Sequence, residues 1–276
     1  MHTHKNSLTR AALRGIVAAF CLAGASAHAI TVKVKVENVS QTDGLWFTPV
    51  FFGFHNGSFD TFDAGLTAPG PIEDIAEGGV VDGLVNDADA AGIKNHVLAD
   101  DASEAGGPPV LFSPGESAYF TTTLDSLSNR YLSFASMLLP SNDAFFGNPN
   151  PTQYELFDVF GNFKHGFQID LFGSDIWDAG TEQNDFLGAP LSSLMGTSTE
   201  TMGSVQLLGQ SGLNEFSGRG LAVGGNLSDS LYVDDQIARI SVQQVPDSTQ
   251  YIGFLGAFAI IGFRLLAKKR MGKEDA

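Results

Sequence analysis

Cysteine is almost absent: the 276 residues contain one, Cys21, inside an apolar stretch near the N-terminus. A disulfide framework is excluded, as are a cysteine zinc site and a thiol nucleophile in the region that follows. Basic residues are scarce as well, 15 Lys and Arg against 31 Asp and Glu, for a formal charge of −16. Those present crowd the ends, with Lys5, Arg10 and Arg14 at the start and Arg264, Lys268, Lys269, Arg270 and Lys273 near the finish. Between Ile30 and Val245 only 7 basic residues stand against 28 acidic ones, about −21 for this region. Phosphate contacts need a basic patch, so nucleic acid is excluded as a ligand. Divalent cations are the natural counterions.

Recognisable catalytic patterns are lacking too. Gly209-Gln210-Ser211-Gly212 has Leu213 where a nucleophile elbow would need a second glycine after the spacer. Gly218-Arg219-Gly220 has Val223 in place of the third glycine of a dinucleotide fingerprint and follows no good strand. His55, His96 and His165 are far apart, with no ligand motif, and read as loop or partly buried hydrogen-bonding residues. Helical patterns are few: one or two turns over Ile72 to Ala76 and another over Thr152 to Phe157.

What is present argues for a folded core. Hydrophobic residues make up 43% of the chain and 22 are phenylalanine, more apolar side chain than an unburied chain carries. The length suits one globular domain with appendages. Thr31 to Val36 alternates with period two, placing Val32, Val34 and Val36 on one face and Lys33 and Lys35 on the other. Trp46 to Phe54 is aromatic and β-rich, Ala118 to Leu124 and Gln236 to Val242 alternate, and Phe167 to Phe172 adds a further strand. Tyr131 to Leu139 is a continuous apolar run, fit for a strand covered on both faces. With Pro and Gly clustered between these runs, the expectation is an all-β, antiparallel sandwich with long loops. Ser192 to Leu231 reads as long surface loops, and the Phe-rich stretch Phe47 to Phe62 as sandwich core.

The two ends read as addresses. Residues 1–14 form a basic region, Gly15 to Gly24 an apolar one, and Ala27-His28-Ala29 a small-x-small cleavage pattern, together a secretory signal peptide over 1–29. The apolar run is short for a bilayer span, which disfavours an uncleaved anchor. Tyr251 to Ala267 is apolar apart from Arg264 and runs into Lys268-Lys269-Arg270. Seventeen helical residues reach roughly 25 Å, enough for a short transmembrane helix with its basic cluster cytoplasmic and the preceding domain outside. The alternative is a buried C-terminal helix. The domain organisation expected is therefore a leader over 1–29, one domain over 30–245, and a tail over 246–276.

Acidic residues concentrate in loops flanked by aromatics. Ser141-Asn142-Asp143 follows the apolar strand, and Trp177-Asp178-Ala179-Gly180-Thr181-Glu182 follows the strand at 167–172. Hard cations want several oxygens at once, and loops at one end of a sandwich can supply them. Asp178 and Glu182 would face one ion if Gly180 lets the chain turn between them. The same acids also suit turns and solubility, and the residues alone leave both readings open. Asp82, Asn86, Asp87 and Asp89 form another acidic stretch without the order of an EF-hand loop, and read as a solvated loop. Phe62-Asp63-Ala64-Gly65 echoes Trp177-Asp178-Ala179-Gly180, each an Asp-Gly turn beside an aromatic anchor.

Several of these segments resemble a known family in order. Phe51-Phe52-Gly53-Phe54-His55-Asn56-Gly57, Arg130 to Met137, Pro140-Ser141-Asn142-Asp143-Ala144-Phe145 and Trp177 to Glu182 are similar to the spondin domain in its bacterial form, over roughly residues 30 to 243. The resemblance implies a C2-type β-sandwich with a calcium site in the loops, and a place among secreted matrix and adhesion proteins. Carried over position by position, it implies Ca2+ ligands at Asp143, Asp178 and Glu182, the last a Glu where the animal motif usually has Asp. The tail Val245-Pro246-Asp247-Ser248-Thr249, with its apolar run and basic cluster, resembles the VPDSG variant of the PEP-CTERM sorting signals, with Thr249 in place of the usual Gly. That resemblance implies an exosortase-type processing enzyme as a partner and a membrane-anchored precursor bound for the cell envelope, surface or extracellular matrix.

The functional expectation is a non-catalytic, calcium-supported adhesion or binding domain whose partner is a matrix polysaccharide or a surface protein. The alternative is a secreted polysaccharide hydrolase using paired carboxylates such as Asp143 and Asp178. A hydrolase needs one carboxyl protonated in an apolar site, whereas a cation site needs both ionised and converging.

Overall fold

The computed structural model describes residues 29–99 and 110–246. The expected leader over 1–29, apart from Ala29, and the expected tail over 246–276, apart from Pro246, lie outside the described residues. Among the described residues no helix is long and apolar enough to cross a membrane. The chain is mostly β, in antiparallel sheets.

In chain order the strands are β1 (Ala29–Asn38), β2 (Trp46–Phe47), β3 (Val50–His55), β4 (Lys94–Leu98), β5 (Ser117–Asp125), β6 (Tyr131–Leu139), β7 (Ala144–Gly147), β8 (Tyr154–Glu155), β9 (Phe167–Phe172), β10 (Ile176–Asp178), β11 (Gln206–Leu207) and β12 (Gln236–Gln244). Helices α1 (Gly70–Gly78) and α2 (Asp82–Ala90) fall between β3 and β4, and α3 (Gly209–Phe216) follows β11. One sheet has the order β5-β1-β12-β9 and the other β11-β10-β7-β6-β3-β4, with β2 and β8 also pairing to β6.

The period-two alternation of β1 does what side-chain geometry demands: Val32, Val34 and Val36 are fully buried while Lys33 and Lys35 stay half-exposed. Ala118, Phe120 and Leu124 of β5, and Ala238, Ile240 and Val242 of β12, bury on the same side and meet Phe52, Phe54, Leu132, Phe134 and Phe146 of the second sheet. A register irregularity between Gln236 and Ala238 breaks the alternation of β12, and Ile237 is buried as well. The second sheet is covered on its far face by α1 and α2, which explains the unbroken apolar run of β6. Phe51, Ala135 and Phe145 pack there against Ile72, Ile75 and Ala76, spaced i, i+3 and i+4 on α1. The fold is thus two sheets and a small helical layer, and the Phe47 to Phe62 stretch contributes to its core as expected.

Three local expectations are corrected. Asp82 to Ala90 is helical rather than a solvated loop, because Leu84 and Ala88, one turn apart, anchor α2 against the sheet while its acids face outward. The stretch from Thr152 to Phe157 is no helix: Tyr154 and Glu155 pair with Leu132 and Tyr131 as β8. The region from Ser192 to Leu231 contains α3 and β11, with Leu213 and Phe216 of α3 buried in the main core.

Strand directions define two poles. Ala29 pairs with Asp125, Val32 with Gln244, and Tyr131 with Glu155, so the start of β1, the end of β12 and the start of β6 share one pole. At the other, β6 ends at Leu139, β7 begins at Ala144, and Asp178 at the end of β10 pairs with Ala144.

Candidate functional site: an acidic pole

The connection from β6 to β7 and the chain after β10 bring the sequence-predicted acids to the same pole. Asp143 is 0% exposed, and Asp178 and Glu182 are buried apart from 9% of their surface. Oδ2 of Asp143 accepts the backbone N–H of Thr181 at 2.9 Å and that of Glu182 at 3.0 Å, with the Thr181 hydroxyl at 3.5 Å. The Asp143 carbonyl accepts the N–H of Ala179 at 3.1 Å. Its other carboxylate oxygen, Oδ1, is buried with no hydrogen-bond partner.

The loop that carries Asp178 and Glu182 is shaped by its own polar groups. Asp178 Oδ1 accepts the N–H of Gly180 at 2.7 Å, a local Asx turn, and Oδ2 accepts from the Asn184 amide at 2.6 Å. Gly180 has φ +71°, the left-handed conformation that lets the chain reverse between the two acids. Asn142 ties the two loops together: its Oδ1 accepts the N–H of Phe186 at 2.7 Å, and its amide donates to Glu182 Oε2 at 3.4 Å. Beneath the loop the two echoed aromatics meet, Phe62 and Trp177 packing edge to face at 5.4 Å.

Electrostatics mark Asp143 as the centre of this cluster. Burial pushes its carboxyl up to about 6, and the Asp178 and then the Glu182 charges add to that, against the two backbone N–H groups that favour the ionised form. A buried carboxylate oxygen with no donor, on a carboxyl that also feels two further acidic charges, is an arrangement that water or a polar group ordinarily relieves. A hard cation relieves both the missing contact and the repulsion. Asp143, Asp178 and Glu182 would hold it, and it would supply charge neutralisation and a staple between two loops. The three acids share one pole, but their carboxylate oxygens do not all come within 4.8 Å of one another, so the structure brings them near without closing them into a ligand set.

A second set of acids adjoins the first and was not singled out in the sequence. One carboxylate oxygen from each of Glu73, Glu77 and Glu200 lies within 4.8 Å of the others, a closeness at which a metal could bind. Glu77 is held up to about 7, chiefly by burial; the Thr181 hydroxyl opposes the shift, while the charges of Glu182, Glu73 and Glu200 reinforce it. Thr181 and Glu182 thus belong to both neighbourhoods. The i, i+4 spacing of Glu73 and Glu77 on α1 was a legible signal. Glu200 was not, since only its bridge to Glu182 brings it in.

Two of the described histidines are held by packing and hydrogen bonds. His55 is fully buried, accepting the Gly57 N–H at Nδ1 (3.0 Å), which leaves Nε2 to donate to Ser133 Oγ at 3.0 Å. His96 stacks on Phe120 at 3.8 Å.

A scan against protein-family models finds no match to this chain, and a search of curated proteins returns no relative.

Proposed function

We propose that the chain is a non-catalytic, calcium-supported binding or adhesion domain of the spondin type, with C2-like topology, exported and tethered outside the cytoplasmic membrane. The observation that carries the reading is the orphaned, fully buried Oδ1 of Asp143 beside Asp178 and Glu182. Buried carboxylate oxygens ordinarily find a partner, which a cation or a bound water would supply here, and Glu77 Oε1 in the adjoining acidic set is in the same state. The order of basic, apolar and Ala-x-Ala segments supports export, and the tail from Val245 supports membrane attachment and exosortase-type processing. The partner is a matrix polysaccharide or a surface protein met on the acidic pole.

The hydrolase alternative has one observation in its favour. Asp143, held near 6, keeps a proton close to neutral pH beside a second acid, as a general acid must. Against it, a general acid has to touch its substrate, and Asp143 has no exposed surface. The cation reading needs no such access for a substrate.

The test is thermal unfolding of the full chain in detergent, first with chelator and then with millimolar calcium. Calcium at a hundredfold excess over its dissociation constant stabilises the folded state by about 2.7 kcal/mol. For a domain of this size that is an upward shift of roughly 5 to 10 °C. A melting temperature indifferent to calcium would remove the site.

A further inference from the structure

The pole opposite the acids carries a built apolar tip. Phe157 and Phe163 pair across a bridge and pack edge to face at 5.6 Å, closing the base of a short hairpin with their rings in the core. Asp158 organises its turn: Oδ1 accepts the N–H groups of Phe160 at 2.8 Å and Asn162 at 2.9 Å, and the backbone N–H of Asp158 donates to Asn162 O at 2.9 Å. The result is that Val159 and Phe160 are held outward, 65% and 77% exposed. The adjoining β5–β6 turn presents Leu127, 50% exposed, and the two loops are joined where the Leu156 N–H donates to Arg130 O at 2.7 Å. Single exposed apolar residues are ordinary; here three are carried at one pole by two turns that a backbone hydrogen bond links.

The position of this tip identifies its occupant. Both ends of the described domain emerge at the same pole, Ala29 beside Asp125 and Val245 donating its N–H to Thr31 O at 2.8 Å. Only Pro246 to Gln250 separate Val245 from the apolar run that begins at Tyr251, a tether of at most about 20 Å when fully extended. Any bilayer that takes up that run therefore lies within reach of the tip. The acidic pole stands a strand length away, roughly 30 Å for the nine residues of β6. Nearby cations are already engaged, since Arg130 and Lys164 both pair with Glu155, so apolar insertion rather than charge attraction would hold the contact.

We propose that Val159, Phe160 and Leu127 seat on the surface of the bilayer in which the C-terminal run is embedded, holding the domain with its acidic pole turned outward. The inference rests on the membrane attachment proposed above, and the experiment separates the two. The full chain carrying Phe160→Trp is reconstituted into zwitterionic phosphatidylcholine vesicles with plain or brominated acyl chains. The native Trp46 and Trp177 pair with Leu139 and Phe145 near the acidic pole and serve as internal reference. The emission added at position 160 is expected to shift to the blue and to lose most of its intensity to bromine, whereas that of the parent chain is unaffected. Vesicle-bound protein whose added emission is water-like and unquenched overturns the tip contact and leaves the attachment standing. Failure of the chain to float with the vesicles overturns both. A blue shift that grows with protein concentration in detergent without vesicles assigns the tip to a second copy of the chain and also overturns the proposal. Met202→Trp, at a fully exposed position beside the acidic loop, should remain unquenched; its quenching would overturn the outward orientation.

Discussion

Asp143 and Thr181, thirty-eight residues apart, are joined by a 2.9 Å hydrogen bond from the Thr181 backbone N–H to Oδ2 of a carboxylate whose other oxygen is buried without a partner. One oxygen thus organises the loop while the other is buried without a donor. The hydrogen bond and the charge can be separated by mutation.

Asp143→Asn can keep an acceptor at the Oδ2 position and removes the charge. In chelator it is expected to melt at or above the parent temperature, because a buried charge, and with it the repulsion with Asp178 and Glu182, is gone. The shift on adding calcium should disappear. Asp178→Asn should also lose most of that shift, while Asp87→Asn, on the exposed side of α2, should retain it in full. Differential scanning calorimetry at two calcium concentrations reads all three.

Glu77→Gln distinguishes the two acidic sets. It removes a charge that burial, and then repulsion from Glu182, Glu73 and Glu200, disfavours, so the variant should be more stable than the parent in chelator at pH 8. If the ion sits at Asp143, the calcium-induced shift survives. Loss of the shift in Glu77→Gln, with Asp143→Asn still responding, would move the ion to Glu73, Glu77 and Glu200.

Gly180→Ala attacks the loop rather than the ligands. A Cβ there would lie 2.8 Å from Ser204 N and 2.9 Å from Ser204 O, in a conformation that L side chains rarely adopt. Strain and overpacking together should cost about 2 to 4 kcal/mol in urea unfolding. The calcium response should fall as well, because the turn between Asp178 and Glu182 is distorted. A variant with parent stability and parent calcium response would show that the loop conformation is not required.

His55 makes a pH prediction with a definite sign. Burial lowers its folded-state value from 6.5 to about 4, so at intermediate pH the unfolded chain binds a proton that the folded chain does not. Its contribution is fully present above about 6.5 and is lost as pH falls toward 4, on the order of 3 kcal/mol across the window. Asp143 and Glu77, both raised, oppose it: their contribution is lost as pH rises through about 6 and about 7. The comparison is therefore parent against His55→Asn by urea unfolding in chelator. The advantage of parent over variant should shrink between pH 7 and pH 4.5, and an advantage independent of pH would sink the assignment.

Two kinds of information separate cleanly in this chain. Local sequence pattern located the longer strands β1, β3, β5, β6, β9 and β12, and missed the short β4, β7, β8, β10 and β11. The valines of β1 alternate because one face of a strand must bury, and the unbroken run of β6 reports cover on both faces. The pairing of acid-rich loops with aromatic anchors also pointed to Asp143, Asp178 and Glu182, since turn residues and oxygen ligands share a short vocabulary. α2 was illegible because two buried residues, Leu84 and Ala88, make too thin a stripe to outweigh four polar neighbours. Which acids approach one another was decided only by the tertiary structure. Glu200 reaches Glu73 and Glu77 through a bridge to Glu182, and Asp143, in the β6–β7 connection, is buried against the loop after β10 whose N–H groups it accepts. Desolvation and carboxylate repulsion depend on three-dimensional distance and burial, which no spacing along the chain encodes.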